Sequence, residues 1–163
     1  MSAPTKESID AEMRRVFGDD EKRIAHALSV LSFSEEILLE EPGDRDVVVA
    51  AALLHDIGIH EAERKHGSSA GRYQEIEGPP IAEGILGSLG AAGELTSEVC
   101  DIVGHHHSPR KEETPNFKIL YDADTIVNLL AEVPPSAREG LEEKLERILF
   151  TPTGLKVARR ELL

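Results

Sequence analysis

The chain has 163 residues, enough for one domain that buries roughly 70% of its unfolded surface around a single core. Eighteen Lys and Arg against thirty-one Asp and Glu leave a net charge of −13, which argues against a nucleic-acid or anionic-membrane partner. Aromatics are 4% and Trp is absent, so no platform for stacking single-stranded bases is expected either.

The one cysteine, Cys100, precludes an intramolecular disulfide and fits a reducing cytoplasm. No stretch approaches about 18 uninterrupted apolar residues and no apolar signal core opens the chain, so neither a membrane span nor secretion is expected.

Nearly every periodic segment reads at helix spacing. Ile9, Met13, Val16 and Phe17 share one face of a first helix, stopped by Gly18. Asp19 or Asp20 caps a second, running to about Glu41, where Pro42-Gly43 breaks it. Asp44 caps a third, in which Val47 to Leu54 is an unbroken apolar run. Its valines would suit a strand. Ala50-Ala51-Ala52-Leu53-Leu54 favours helix and no strand partner is visible, so a helix buried on all sides is expected.

From Gly58 to Gly78 the chain turns polar and irregular, which predicts a functional loop or a short helix around Glu61 to Lys65. A helix follows Pro79-Pro80, and another runs from near Thr96 to Ser108-Pro109. Thr114-Pro115 supplies cap and first position for a helix to about Val133. Leu141, Leu145, Ile148 and Leu149 mark a first C-terminal helix and residues 155–162 a second. Gly84, Gly87, Gly90 and Gly93 fall three apart, either a small-residue face for close helix packing, with Gly90 or Gly93 ending the helix, or a backbone approach to a ligand. The expectation is a single all-α domain over residues 1–163, with C-terminal helices at 134–163 that cover the core or form a homodimer seam.

Asp56 is the most informative polar residue. It ends an apolar run with no Lys or Arg beside it, at a helix C-terminus whose dipole disfavours negative charge. A carboxylate so placed needs a strong cation nearby or it protonates. Other helices direct similar groups inward. His26 aligns with Val30, Phe33 and Ile37, while His106 continues the stripe of Val99, Ile102 and Val103, flanked by His105 and His107. Asp124 lies with Phe117, Leu120, Tyr121 and Val127, whereas Asp122 falls on the stripe of Lys118 and Thr125 and is expected in solvent. Any one of these alone would be an ordinary hydrogen-bonded core group. Together with His55-Asp56 they predict a metal site, and imidazole with carboxylate suits Fe, Mn, Co, Ni or Zn.

His26, His55-Asp56 and Asp124 resemble the H…HD…D signature of the HD-domain superfamily of metal-dependent phosphohydrolases. The contexts that carry the resemblance are Arg23-Ile24-Ala25-His26, the run from Ala52 to Gly58, and Tyr121-Asp122-Ala123-Asp124, spanning roughly residues 20–130. The resemblance implies an HD-like helical bundle and a divalent metal, Mg also being admissible, held by His26, His55, Asp56 and Asp124. It further implies hydrolysis of a phosphate ester of a small metabolite, a nucleotide by family analogy. His105 and His106 resemble paired histidines that hold a second metal in some members. Those members place another His between the two motifs, for which only His60 and His66 are available here. The same cluster could instead contact the phosphate.

His60 and Glu61 follow the His-Asp pair closely enough to act with Asp56 as catalytic acid or base. Arg23, Lys65, His66, Arg72, His105 and Arg110, with Lys22 and Lys111 nearby, are the cations available to grip a phosphate. Cys100 reads as a small buried residue. A non-catalytic nucleotide-sensing module and a di-iron oxygenase, which needs two metals, are the alternatives.

Overall fold

The computed structural model describes residues 3–163. Among these, nine α-helices and no strands are formed: α1 (Lys6–Phe17), α2 (Glu21–Leu38), α3 (Arg45–Leu54), α4 (Ile59–His66), α5 (Gly71–Ser88), α6 (Gly93–Val103), α7 (Pro115–Glu132), α8 (Leu141–Ile148) and α9 (Pro152–Leu162). A single 3-10 turn lies at Pro135–Ala137. No helix among them is long and apolar enough to cross a membrane.

Side-chain oxygens set most of the starts. Thr5, Asp20, Asp44, Thr114 and Thr151 each accept a backbone N–H from the first turn of α1, α2, α3, α7 and α9. Such caps satisfy donors that would otherwise be orphaned, at about 1 kcal/mol each. The apolar run Val47–Leu54 makes α3 the central helix, with every one of those side chains buried. Helices α1, α2, α6 and α7 pack around it. Removing a side chain such as Leu53 or Leu54 would cost about 2–5 kcal/mol, because such a core collapses only partly around the hole.

Three boundaries differ from the sequence expectation. The polar stretch after Gly58 is mostly helical, as α4 and the start of α5, which leaves only residues 67–70 as a connection. Helix α5 starts at Gly71 and passes through Pro79 and Pro80 rather than following them. Each proline removes one helical N–H, which strands the carbonyls of Glu75 and Ile76. Those residues lie on the half-buried to exposed side, where water can serve them, while the opposite face is anchored by Ala82, Ile85 and Leu86. Helix α6 begins at Gly93 and ends at Val103, short of Ser108, because Gly104 leads into a turn.

The glycine spacing does not make a packing face. A Cβ on Gly84, Gly87 or Gly93 would meet nothing, and only Gly90, at φ 76°, serves to end α5. Close approach occurs elsewhere. A Cβ on Gly58 would lie 2.5 Å from the backbone nitrogen of Gly78, and one on Gly78 would lie 2.7 Å from Val103 Cγ1. These glycines let α5 rest directly on the chain just after Asp56.

The C-terminal helices close over the bundle, α9 against α7 and α2, and α8 against α9. Asp122 organises this contact and is fully buried rather than solvated. Its carboxylate accepts from Phe150 N at 2.9 Å, Thr151 N at 2.8 Å and Thr151 Oγ1 at 2.7 Å. Helical spacing alone pointed it outward, and the partner that covers it comes from about thirty residues further along the chain. Glu41 repeats the device, accepting from Thr153 N and Oγ1 at 3.1 and 2.6 Å.

Candidate metal centre

Three elements bring four side chains to one point. His26 comes from the first half of α2, His55 and Asp56 from the turn that directly follows α3, and Asp124 from the middle of α7. His26 Nε2 lies 3.0 Å from Asp124 Oδ1, 3.3 Å from His55 Nε2 and 3.3 Å from Asp56 Oδ2. His55 Nε2 is 3.3 Å from Asp124 Oδ1 and 3.4 Å from Asp56 Oδ2. Donor atoms on an ion with bonds of about 2.1 Å are separated by roughly 3.0 Å when octahedral and 3.4 Å when tetrahedral. His26, His55 and Asp124 are spaced to share one divalent cation, and Asp56 reaches both histidines, which makes a donor set of two imidazoles and two carboxylates.

Tautomers strengthen the fit. His55 Nδ1 lies 2.8 Å from the carbonyl of Ala52 and donates to it, which turns Nε2 toward the carboxylates. A neutral His55 would then present a lone pair to other acceptors, so the arrangement calls for a positive charge there. Burial works to lower the pKa of His55, but the Asp56 and Asp124 carboxylates outweigh it and raise it to about 10. Burial likewise works to raise Asp56, while the charge of His55 and the hydrogen bond from His106 hold it at about 2. Asp124 is held below the usual carboxylate range against the same burial cost, by His55 and His26.

Asp56 turns its other oxygen to a second group. His106 Nε2 is 3.3 Å from Asp56 Oδ1, and His106 Nδ1 donates to the Val103 carbonyl at 2.8 Å. Asp56, His106 and His107 each offer an atom within 4.8 Å of the others. Gln74 Nε2 donates to Ser69 O at 2.7 Å, so its Oε1 accepts from His107 Nε2 at 2.9 Å. That leaves the His107 Nδ1 lone pair available. The imidazole sits against Gly71, where a Cβ would come within 3.0 Å of it. Burial, then the charge of His106, pushes its pKa down.

The histidine pair beside Asp56 is thus His106 with His107, and not His105 with His106. His105 points away: its Nε2 lies 3.0 Å from both oxygens of Glu113, its Nδ1 2.6 Å from Asp101 O, and its ring stacks on Phe117. The turn after Gly104 ends the helical register on which sequence spacing relied.

A cavity of about 530 Å³ opens over His26, Asp56 and Asp124. Helix α2 contributes Lys22 and Arg23 to its wall, α7 contributes Asn128 and Glu132, and Gln74 and His107 form another side. Of the sequence candidates for phosphate contact, Arg23 and its neighbour Lys22 line this cavity and the others do not. Lys65 and His66 both engage Glu77, at 3.0 and 2.9 Å. Arg72 lies over the ring of Tyr73, and Arg110 forms a fork with Asp101. His60 Nε2 bonds Asp20 at 2.7 Å, and Glu61 pairs with Arg64. Helix α4 accounts for the displacement of His60, Glu61, Lys65 and His66, since it aligns residues 60–66 along its own faces where a loop would have left them free.

Sequence reasoning missed Gln74, Asn128 and Glu132 and placed His107 only as a flanking residue. Asn128 and Glu132 follow Asp124 by four and eight residues, so their common face was readable. Gln74 carried no such signal, because its segment looked irregular.

Comparison with known proteins places the chain among similar ones. The HD domain model matches residues 23–129, more than half of the chain. A crystal structure of a predicted HD superfamily hydrolase from an uncultured Thermotogales bacterium is 28% identical and superposes with a TM-score of 0.72, covering 98% of this chain and 86% of that one. Among curated proteins no significant match is found.

Proposed function

The chain belongs to the HD-domain family, and from that premise we propose that it hydrolyses a phosphate ester of a small metabolite with a divalent metal held by His26, His55, Asp56 and Asp124. The observation that carries this reading is the convergence of His26, His55 and Asp124 donor atoms at 3.0–3.3 Å, with Asp56 reaching both histidines, at the base of an open cavity lined by His26, Asp56 and Asp124. Such a metal supplies a water that is acidic near neutral pH and polarises a phosphoryl oxygen.

The protein's own groups prepare the rest. Ala52 O fixes the tautomer of His55, and the two carboxylates keep negative charge where a cation is required. Arg23, with Lys22 beside it, offers positive charge to the phosphate at the cavity wall. His107, with Nε2 committed to Gln74, keeps Nδ1 able to accept a proton in the cavity. A nucleotide as the ester rests on family analogy.

A second reading, with two metals, is favoured by one observation: Asp56 directs Oδ2 to His26 and His55, and Oδ1 to His106. A carboxylate so placed can bridge two ions, the arrangement a di-iron oxygenase would also need. The presence of all four ligand positions supports turnover over a purely sensing role.

The experiment is metal content per chain on anaerobically purified protein, followed by a panel of phosphate esters that includes nucleoside monophosphates. Metal-dependent phosphate release supports hydrolysis. Binding without release would favour the sensing module, and two irons per chain without release would favour the oxygenase.

A further inference from the structure

The cavity above the metal ligands has a chemical gradient along two helices. His26 and Asp124 meet at 3.0 Å, and from that point Lys22 and Arg23 lie one turn earlier on α2, while Asn128 and Glu132 lie one and two turns later on α7. Both runs line the same cavity, so the start of α2 and the end of α7 share its mouth. In this acidic chain many surface cations are paired, such as Arg45 with Glu35, Arg159 with Glu142 and Arg160 with Glu36. Among the described residues Lys22, Arg23 and Glu132 form no ion pair, even though both signs of charge line one cavity. No Phe, Tyr or Trp lines it.

We propose that the group carrying the phosphate is a hydroxyl-rich sugar, read by Glu132 and Asn128, with Lys22 and Arg23 taking the phosphate charge and no contact reading a base. This rests on the phosphohydrolase reading above. A carboxylate is an acceptor only and can take O–H donors from two adjacent hydroxyls, while an amide both donates and accepts. An ammonium group would meet the same carboxylate but would be repelled by Lys22 and Arg23, whereas hydroxyls are neutral.

The reach is suitable. Glu132 lies eight residues beyond Asp124, about 12 Å along the helix axis. Its side chain leans back toward the helix N-terminus, over the span that a sugar occupies between the metal and the mouth. The lining supplies no Phe, Tyr or Trp face on which a nucleobase could stack.

The test is calorimetric titration of ribose 5-phosphate, and separately of inorganic phosphate, into the metal-loaded full chain and its Glu132→Gln variant. Glu132 is exposed at a helix end, so the variant is expected to fold. Loss of a hydrogen bond to a charged acceptor predicts a rise of about 10-fold in Kd for ribose 5-phosphate. The weakening for the sugar phosphate should exceed that for inorganic phosphate by about 5-fold or more. In turnover, adenosine and cytidine 5′-monophosphates should agree in kcat/KM within about 3-fold, while 2′-deoxyadenosine 5′-monophosphate falls by about 10-fold.

Equal weakening for both ligands, or a purine-to-pyrimidine ratio beyond about 10-fold, overturns the proposal. Should no ester be turned over, the hydrolase reading fails on its own. The titration then still decides: selective weakening of ribose 5-phosphate upholds the sugar site, and no binding of it ends the proposal.

Discussion

His55 and Asp124 face each other through Nε2 and Oδ1 at 3.3 Å, while the other nitrogen of His55 donates to Ala52 O. With its donor already used, a neutral imidazole would oppose a carboxylate lone pair to lone pair. Either a proton or a metal ion must occupy that side of the ring.

The first prediction follows from this competition. The pKa of His55 is raised to about 10, so at pH 8 metal uptake has to expel its proton. Calorimetry in buffers of different ionisation enthalpy should find about one proton released per metal bound. No release would mean that His55 is not a ligand. In metal-stripped protein the sign is fixed by linkage. The stabilisation from protonated His55 is complete below its unfolded value near 6.5 and is lost as pH rises through about 10, so Tm should fall across that window.

Asp56 turns one oxygen to each donor group. Replacing it with Ala removes one ligand and leaves His55 and His106 without the carboxylate between them. Metal per chain should fall at least about 10-fold, with loss of hydrolysis, as read by elemental analysis beside a phosphate-release assay. Full metal content in Asp56→Ala would remove it from the site.

His105 and His106 are neighbours in sequence with opposite surroundings, one bonded to Glu113 and the other to Asp56. Metal content should drop in His106→Ala and hold in His105→Ala. The reverse pattern would return His105 to the metal site.

Asp122 should matter for stability rather than chemistry. Asp122→Ala strands Phe150 N, Thr151 N and Thr151 Oγ1 in a buried position, at a cost of about 3–5 kcal/mol read from urea unfolding. Burial pushes its carboxyl up to about 6 despite the hydrogen bonds from Phe150 and Thr151. A raised carboxyl makes the folded state less stable as pH rises from about 4 through 6. Asp122→Asn should flatten that part of the profile; an unchanged profile would show that this carboxyl does not control it.

His26 and Asp124 were legible because each sits on a long helix whose apolar stripe fixes its direction, and His55-Asp56 because it directly follows a fully buried apolar run. His26 shares a face with Val30 and Ile37, and Asp124 shares one with Leu120. Where the chain leaves helical register, that logic ended. His105 and His107 follow Gly104 into a turn, and nothing in their spacing says which of them faces Asp56. The prolines at 79 and 80 were read as a helix start, since a proline usually breaks an interior turn. Contacts with the rest of the bundle override that preference. Asp122 illustrates the limit in another way, because helix spacing describes one helix and says nothing about what arrives later to cover it.

The contact of Gly58 with Gly78 sets a limit on how this centre can change through evolution. Most tight contacts in a core can be retuned, since a larger residue on one side is accommodated by a smaller one opposite. At Gly58 the opposing atoms belong to the main chain of Gly78 and Gln74, so no choice of side chain at a neighbouring position makes room. Gly78 differs, because a Cβ there meets the side chain of Val103, which a smaller residue could relieve. Of the two glycines next to the metal ligands, Gly58 is therefore the one that substitution elsewhere cannot release.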